Sequence, residues 1–192
     1  MVKYPNAASG IKKMFLSRMV GIIGVVLAFI PSIGPFFTLV CAIAATIFNV
    51  WGILEASKDH NGYQTALVFT VADLIFTVVR TFIGNGAVSS VLAFAGDVME
   101  IAVLYYICKT TGELLRDLKN YGLADKGDRV WNINKTCLII MALCLVVAFI
   151  PILNILAAIT SLIVAVVTIY AAVVYLIYLY QSGQYLSLNT NF

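Results

Sequence analysis

The chain has 192 residues, of which 62% are hydrophobic and only 11% charged, and its formal net charge is +3. A water-soluble domain is about half apolar and about a quarter charged, so this composition excludes a protein that coats itself with polar surface. The basic residues are scattered and loop-borne rather than gathered into a patch, which excludes nucleic acid as a partner.

The chain opens "MVKYPNAASGIKKMFLSRMVGIIG". A basic flank precedes an apolar run that continues to Pro31 without a small-residue cleavage site. This reads as a retained first span rather than a cleaved leader. Apolar runs then cover residues 14–30, 36–54, 65–83, 87–108, 136–150 and 152–180. A helix needs about 20 residues to cross roughly 30 Å of hydrocarbon. The runs are continuous and do not alternate, so they predict helices rather than barrel strands. The expected fold is all-α: one polytopic transmembrane domain over residues 1–192, with six transmembrane helices.

Three joints between runs are very short: "FIPSIGP" at 29–35, "FIGNGA" at 82–87 and "FIPILN" at 149–154. Aligning them on Phe-Ile puts Pro31, Gly84 and Pro151 in register. Proline and glycine stop helices and form tight turns. The sequence therefore predicts three tandem hairpins, an internal repeat, at about 14–56, 64–110 and 135–181. A cytoplasmic connector is expected at about 111–134, within "KTTGELLRDLKNYGLADKGDRVWNINK". The spacing of Leu114, Leu115 and Leu118 predicts that the fourth helix runs to about Tyr121, with Gly122 as its C-terminal cap.

Orientation follows from charge. Lys3, Lys12, Lys13, Lys58, Lys109, Arg116, Lys119, Lys126, Arg129 and Lys135 all lie in the N-terminal segment or the joints between hairpins. The positive-inside rule makes that side cytoplasmic, with both termini inside a cell membrane. Trp51, Trp131, Tyr105, Tyr106, Tyr178 and Tyr180 fall toward the same side, as an interfacial aromatic belt would. Small residues recur at helix-packing intervals, as in Gly21 with Gly24, Ala42 with Ala45, Gly52 with Ala56 and Ser161 with Ala165.

Ionisable residues within the apolar runs carry the most information, because they are costly at bilayer depth. The middle hairpin has Asp73, Arg80, Asp97 and Glu100, and the first has Arg18. At 1.5 Å of rise per residue, Asp73 and Asp97 both sit roughly 17 Å below the hairpin tip near Asn85, side by side near the midplane. Glu100 shares a helix face with Asp97. It lies roughly 22 Å down, at the depth of Arg18. Arg80 is close enough to the outer surface to snorkel. Two readings stay open. Arg18–Glu100 and Arg80–Asp73 are structural ion pairs, or Asp73 and Asp97 crowd a site that carries a proton or a cation.

Cys41, Cys108, Cys137 and Cys144 form no C-x-x-C pair and read as small apolar residues, and His60 stands alone. No metal site and no cofactor are predicted. The chain carries no metalloprotease, P-loop, dinucleotide or catalytic-triad motif, and no nucleophile with a partner base, so no enzyme is expected. In size and helix count it is similar to the substrate-capturing subunits of energy-coupling-factor vitamin transporters, but it lacks their long outer loops. With "FIPSIGP", "NGYQTALVFT", "CKTTGELL" and "KGDRVWNIN" it resembles uncharacterised six-helix integral membrane proteins of Gram-positive bacteria, a likeness that implies a fold but no activity. The expected function is a small transporter or channel. Its buried acidic site is lined by Asp73, Asp97 and Glu100, with Arg18 as counter-ion and Arg80 nearer the tip. The alternative is a non-catalytic accessory or scaffold subunit that docks through residues 109–135. The expected partners are the lipid bilayer and either a second copy or another membrane protein.

Overall fold

Pro5 opens the first helix, a position where its missing N–H removes no intrahelical bond. In the computed structural model, which describes residues 3–31, 34–83, 86–147 and 154–188, all regular structure is helical. The elements are α1 Pro5–Leu27, α2 Gly34–Ala56, α3 Gly62–Ile83, α4 Ala87–Asp117, α5 Tyr121–Val147 and α6 Asn154–Leu188. Four of them (α2, α3, α4 over Val91–Asp117 and α6 over Ile159–Leu188) are long and apolar enough to cross a membrane. The other two are more polar: α1 holds Lys12, Lys13 and Arg18, and α5 begins with the charged stretch around Asp125, Lys126, Asp128 and Arg129. Of the aligned tips, Pro31 ends the turn after α1, while Gly84 and Pro151 lie outside the described residues.

Each helix packs against its neighbour in sequence, and α6 returns to pack against α1, so the helices close into a ring. The α2–α3 seam is its slightest contact. The core sits at the end that carries the termini. Ile11, Met14, Ile53, Tyr63, Ile107, Leu115, Leu179 and Leu186 are fully buried there. Elsewhere burial is sparser. Residues 77–83 of α3 and 165–170 of α6 are exposed without a break. Each stretch exceeds one turn of 3.6 residues, so exposure there is not confined to one face. The side chains displayed there are apolar, such as Phe82 at 86% and Ile169 at 68% exposure. A bilayer solvates such a surface, whereas water would drive it to associate.

Close backbone approach holds the first hairpin together. A Cβ on Gly10 would lie 2.4 Å from the Gly52 carbonyl oxygen, and one on Gly52 would lie 2.7 Å from that of Gly10. Ser17 Oγ donates to the Ala45 carbonyl at 2.7 Å, and Thr38 Oγ1 to that of Gly24 at 3.1 Å. Gly52 and Ala56 thus do act as a close-packing pair, but against Gly10 of α1, while Gly21 faces open space.

The start of α1 has no cap of its own, since Tyr4 makes no side-chain capping bond. Asp59, from the α2–α3 joint, supplies one: its carboxylate accepts from the Ala7 N–H at 2.7 Å and from Asn6 Nδ2 at 2.7 Å. A carboxylate there also meets the positive end of the helix dipole. Asp59→Ala is expected to lower stability by about 1 kcal/mol, read as a lower midpoint in detergent-based thermal unfolding. Lys3 and Tyr4 both donate to Asp117, and the bond to Asp117 raises the Lys3 ammonium above its ordinary pKa.

Two sequence expectations are corrected here. First, α4 ends at Asp117, and Gly122 lies in the first turn of α5. Lys119 takes the left-handed conformation, with φ 61°. Its N–H bonds to the Arg116 carbonyl, and that of Asn120 to the Leu115 carbonyl. These are the two bonds of a Schellman cap, normally built on glycine. Asn120 then caps α5 through Oδ1, which accepts from the Leu123 N–H at 3.1 Å. The polar segment is therefore folded into the end of α4 and the start of α5. Second, Tyr178 belongs to the core rather than to a belt, at 1% exposure. Its Oη donates to the Cys108 carbonyl at 3.3 Å, in space that a Cβ on Gly127 would fill. Trp51 and Tyr180 stay at the surface.

Candidate polar cleft between α3 and α4

On α3, Asp73, Thr77 and Arg80 stand at i, i+4 and i+7; on α4, Ala93, Gly96, Asp97 and Glu100 stand at i, i+3, i+4 and i+7. Each set is one helical face. The two faces line a cavity of about 190 Å³, with Phe76 and Leu92 as apolar wall. That is room for several waters, each filling roughly 30 Å³ in the liquid. Gly96 allows the close approach: Asp73 Oδ1 lies 3.1 Å from where a Cβ on Gly96 would stand.

Other helices reach the deep end of the cleft. Arg18 of α1 extends across to Glu100, Nη1 to Oε1, at 2.8 Å. Its guanidinium also lies over the ring of Tyr175 of α6, 5.7 Å from the centroid. On the terminus side of this tier lies the packed core with Tyr63 and Ile107.

The Arg18–Glu100 pairing expected from equal depth is present. Arg80 and Asp73 form no ion pair among the described residues. Arg80 stands two turns nearer the tip and donates through Nε to Ser89 Oγ at 3.4 Å. Asp73 and Asp97 line the same cavity, as their depth predicted, and neither accepts a hydrogen bond among the described residues. The expectation of a buried acidic site is corrected. Asp97 and Arg80 are exposed, Asp73 is half-buried, and the Glu100 side chain is 55% exposed. Three carboxylates against two guanidiniums leave the cleft one negative charge.

Gly96, Ser89 and Tyr175 are contributors that sequence reasoning missed. A glycine inside α4 beside Asp97 was a usable signal for close approach; nothing marked Tyr175. Among the described residues, no three of His, Cys, Asp and Glu converge to hold a metal ion. Cys137 is buried and Cys144 partly so, both as free thiols. His60 belongs to the α2–α3 joint, where Nδ1 accepts from the Gly62 N–H at 3.1 Å and Nε2 lies 3.6 Å from Glu113. No protein-family model, no curated protein and no solved structure matches this chain. Its functional reading therefore rests on the geometry of the cleft.

Proposed function

We propose that the chain is a small membrane transporter and that the cleft of its middle hairpin is the translocation site. All six helices cross the membrane in this reading, as three tandem hairpins of one repeat, with both termini in the cytoplasm of a Gram-positive bacterium. One observation carries it: five ionisable side chains gather around a single cavity, while α5 and α6 carry no Asp, Glu, Lys or Arg from residue 136 to residue 188. Charge at such depth is expensive and is kept where it faces water and meets a solute. The scaffold alternative has less support. At the polar end, Arg116 pairs with Asp128 at 2.6 Å and Lys126 with Gln181 at 2.9 Å, so those charges are already engaged within the chain.

The test is Asp97→Asn in proteoliposomes under a pH gradient. Wild-type protein is expected to carry proton-coupled flux above that of empty liposomes. The variant is expected to lose at least about a hundredfold of it, with helicity and melting midpoint unchanged, since Asp97 is exposed and outside the core. That loss is the usual scale for removing a positioned proton-transfer group. Equal flux in the two proteins, or none in the wild type, would overturn the proposal.

A further inference from the structure

We infer that the cleft binds a small zwitterion, with its carboxylate on Arg80 and its ammonium between Asp73 and Asp97; the inference rests on the transport reading above and names its substrate class. The cavity is electrically two-ended. At the tip end, Arg80 has a single hydrogen bond, through Nε to Ser89, and no carboxylate in ion-pair range among the described residues. At the deep end, Asp73 and Asp97 line the cavity without hydrogen-bond donors among the described residues, while Glu100 is taken by Arg18. A simple cation would satisfy the deep end and leave Arg80 unmatched; a simple anion would do the reverse. A molecule with a carboxylate at one end and an ammonium at the other meets both. Guanidinium is the side chain best shaped to take a carboxylate by two parallel hydrogen bonds.

Size limits the ligand: Asp73 and Arg80 are two turns apart, about 10 Å of helix rise, so only a short amino acid can lie between them. Phe76 and Leu92 offer methylene groups an apolar wall. Arg18, Glu100 and Tyr175, with the packed core beyond them, limit how deep such a ligand can sit.

The experiment is calorimetric titration of the purified full-length protein in detergent with 4-aminobutyrate, and separately with butyrate and with butylamine, which keep one charged end each. Glycine and 6-aminohexanoate bracket the length. The zwitterion of best length is expected to bind about ten- to hundredfold tighter than either single-ended analogue, the scale of one charge-assisted pair. Arg80→Gln should erase the preference of the zwitterion over butylamine. Arg80→Lys should retain part of the preference, which separates loss of charge from loss of fold. Butylamine binding as tightly as every amino acid, or no binding by any of them, would overturn the inference. If zwitterion binding is absent while Asp97-dependent proton flux persists, this inference fails and the transport reading stands. If binding is present without flux, the transport reading fails and the site remains.

Discussion

Gly10→Ala is expected to lower stability by about 2–4 kcal/mol, a large effect for one added methyl group. The new Cβ would stand 2.4 Å from the Gly52 carbonyl oxygen and 2.8 Å from Ala56 N and Cβ. Two of these three neighbours are backbone atoms, so no side chain can swing aside, and α1 must shift away from α2. Gly10 is also at the end of the bundle where the hairpins hold one another. On the next residue, Ile11 is fully buried, and α6 crosses close by at Gly183, whose own Cβ would meet Lys12 at 3.1 Å. In lipid, helix association depends on such packing rather than on a hydrophobic drive, so lost contact is not compensated. Gly52→Ala should cost a similar amount, and the double variant less than the sum, because either methyl alone forces the helices apart. Gly21→Ala is the control: nothing lies within 4 Å of its Cβ position, so it should be neutral or stabilise by up to about 1 kcal/mol through helix propensity. The measurement is the unfolding midpoint in mixed detergent. Equal midpoints for Gly10→Ala and Gly21→Ala would refute the close-approach argument.

The contrast between these glycines shows what the sequence made legible. Spacing on one helix picks out Gly52 with Ala56, but it selects Gly21 just as readily and cannot say which pair meets a partner. Apolar runs locate helices well where the solvent is hydrocarbon, because composition there is forced by cost. Outside that slab the signal fades. The helix α1 starts at Pro5, well before its apolar run at Met14, and α5 starts at Tyr121 within a stretch of mixed charge. Those turns are set by Asp59 capping from another element and by Asn120. Depth arithmetic along a hairpin found Arg18 opposite Glu100, and Asp73 beside Asp97, because helical rise is constant. It could not find the direction in which Arg80 extends, since that depends on the side-chain conformation and on Ser89. Nor could it tell a buried tyrosine from an interfacial one: Tyr178 and Tyr180 lie two residues apart on one helix, and only Tyr178 points into the ring. Burial of the acidic residues was overestimated for a related reason. Composition shows that helices are apolar, but not which of their polar residues the packing leaves exposed.

Arg18→Glu is expected to disrupt the deep end of the cleft as well as to weaken the fold. The substitution removes the partner of Glu100 and adds a fourth carboxylate to a group of three. Breaking a fully buried pair costs about 3–5 kcal/mol. Here the Arg18 side chain is 33% exposed and that of Glu100 is 55% exposed. Water screens part of the loss, so about 2–3 kcal/mol is expected. The exchange variant, Arg18→Glu with Glu100→Arg, restores opposite charges across the same gap. It should recover most of the stability, which a double-mutant cycle would report as coupling. Transport should follow the same pattern. The single variant is expected to lose coupled flux, because Glu100 is left without its partner beside Asp73 and Asp97. The exchange variant should recover part of that flux, since opposite charges again face each other while their positions around Tyr175 are reversed. A cycle with no coupling, or equal flux in the single and exchange variants, would mean that Arg18 and Glu100 are neighbours without acting as a pair.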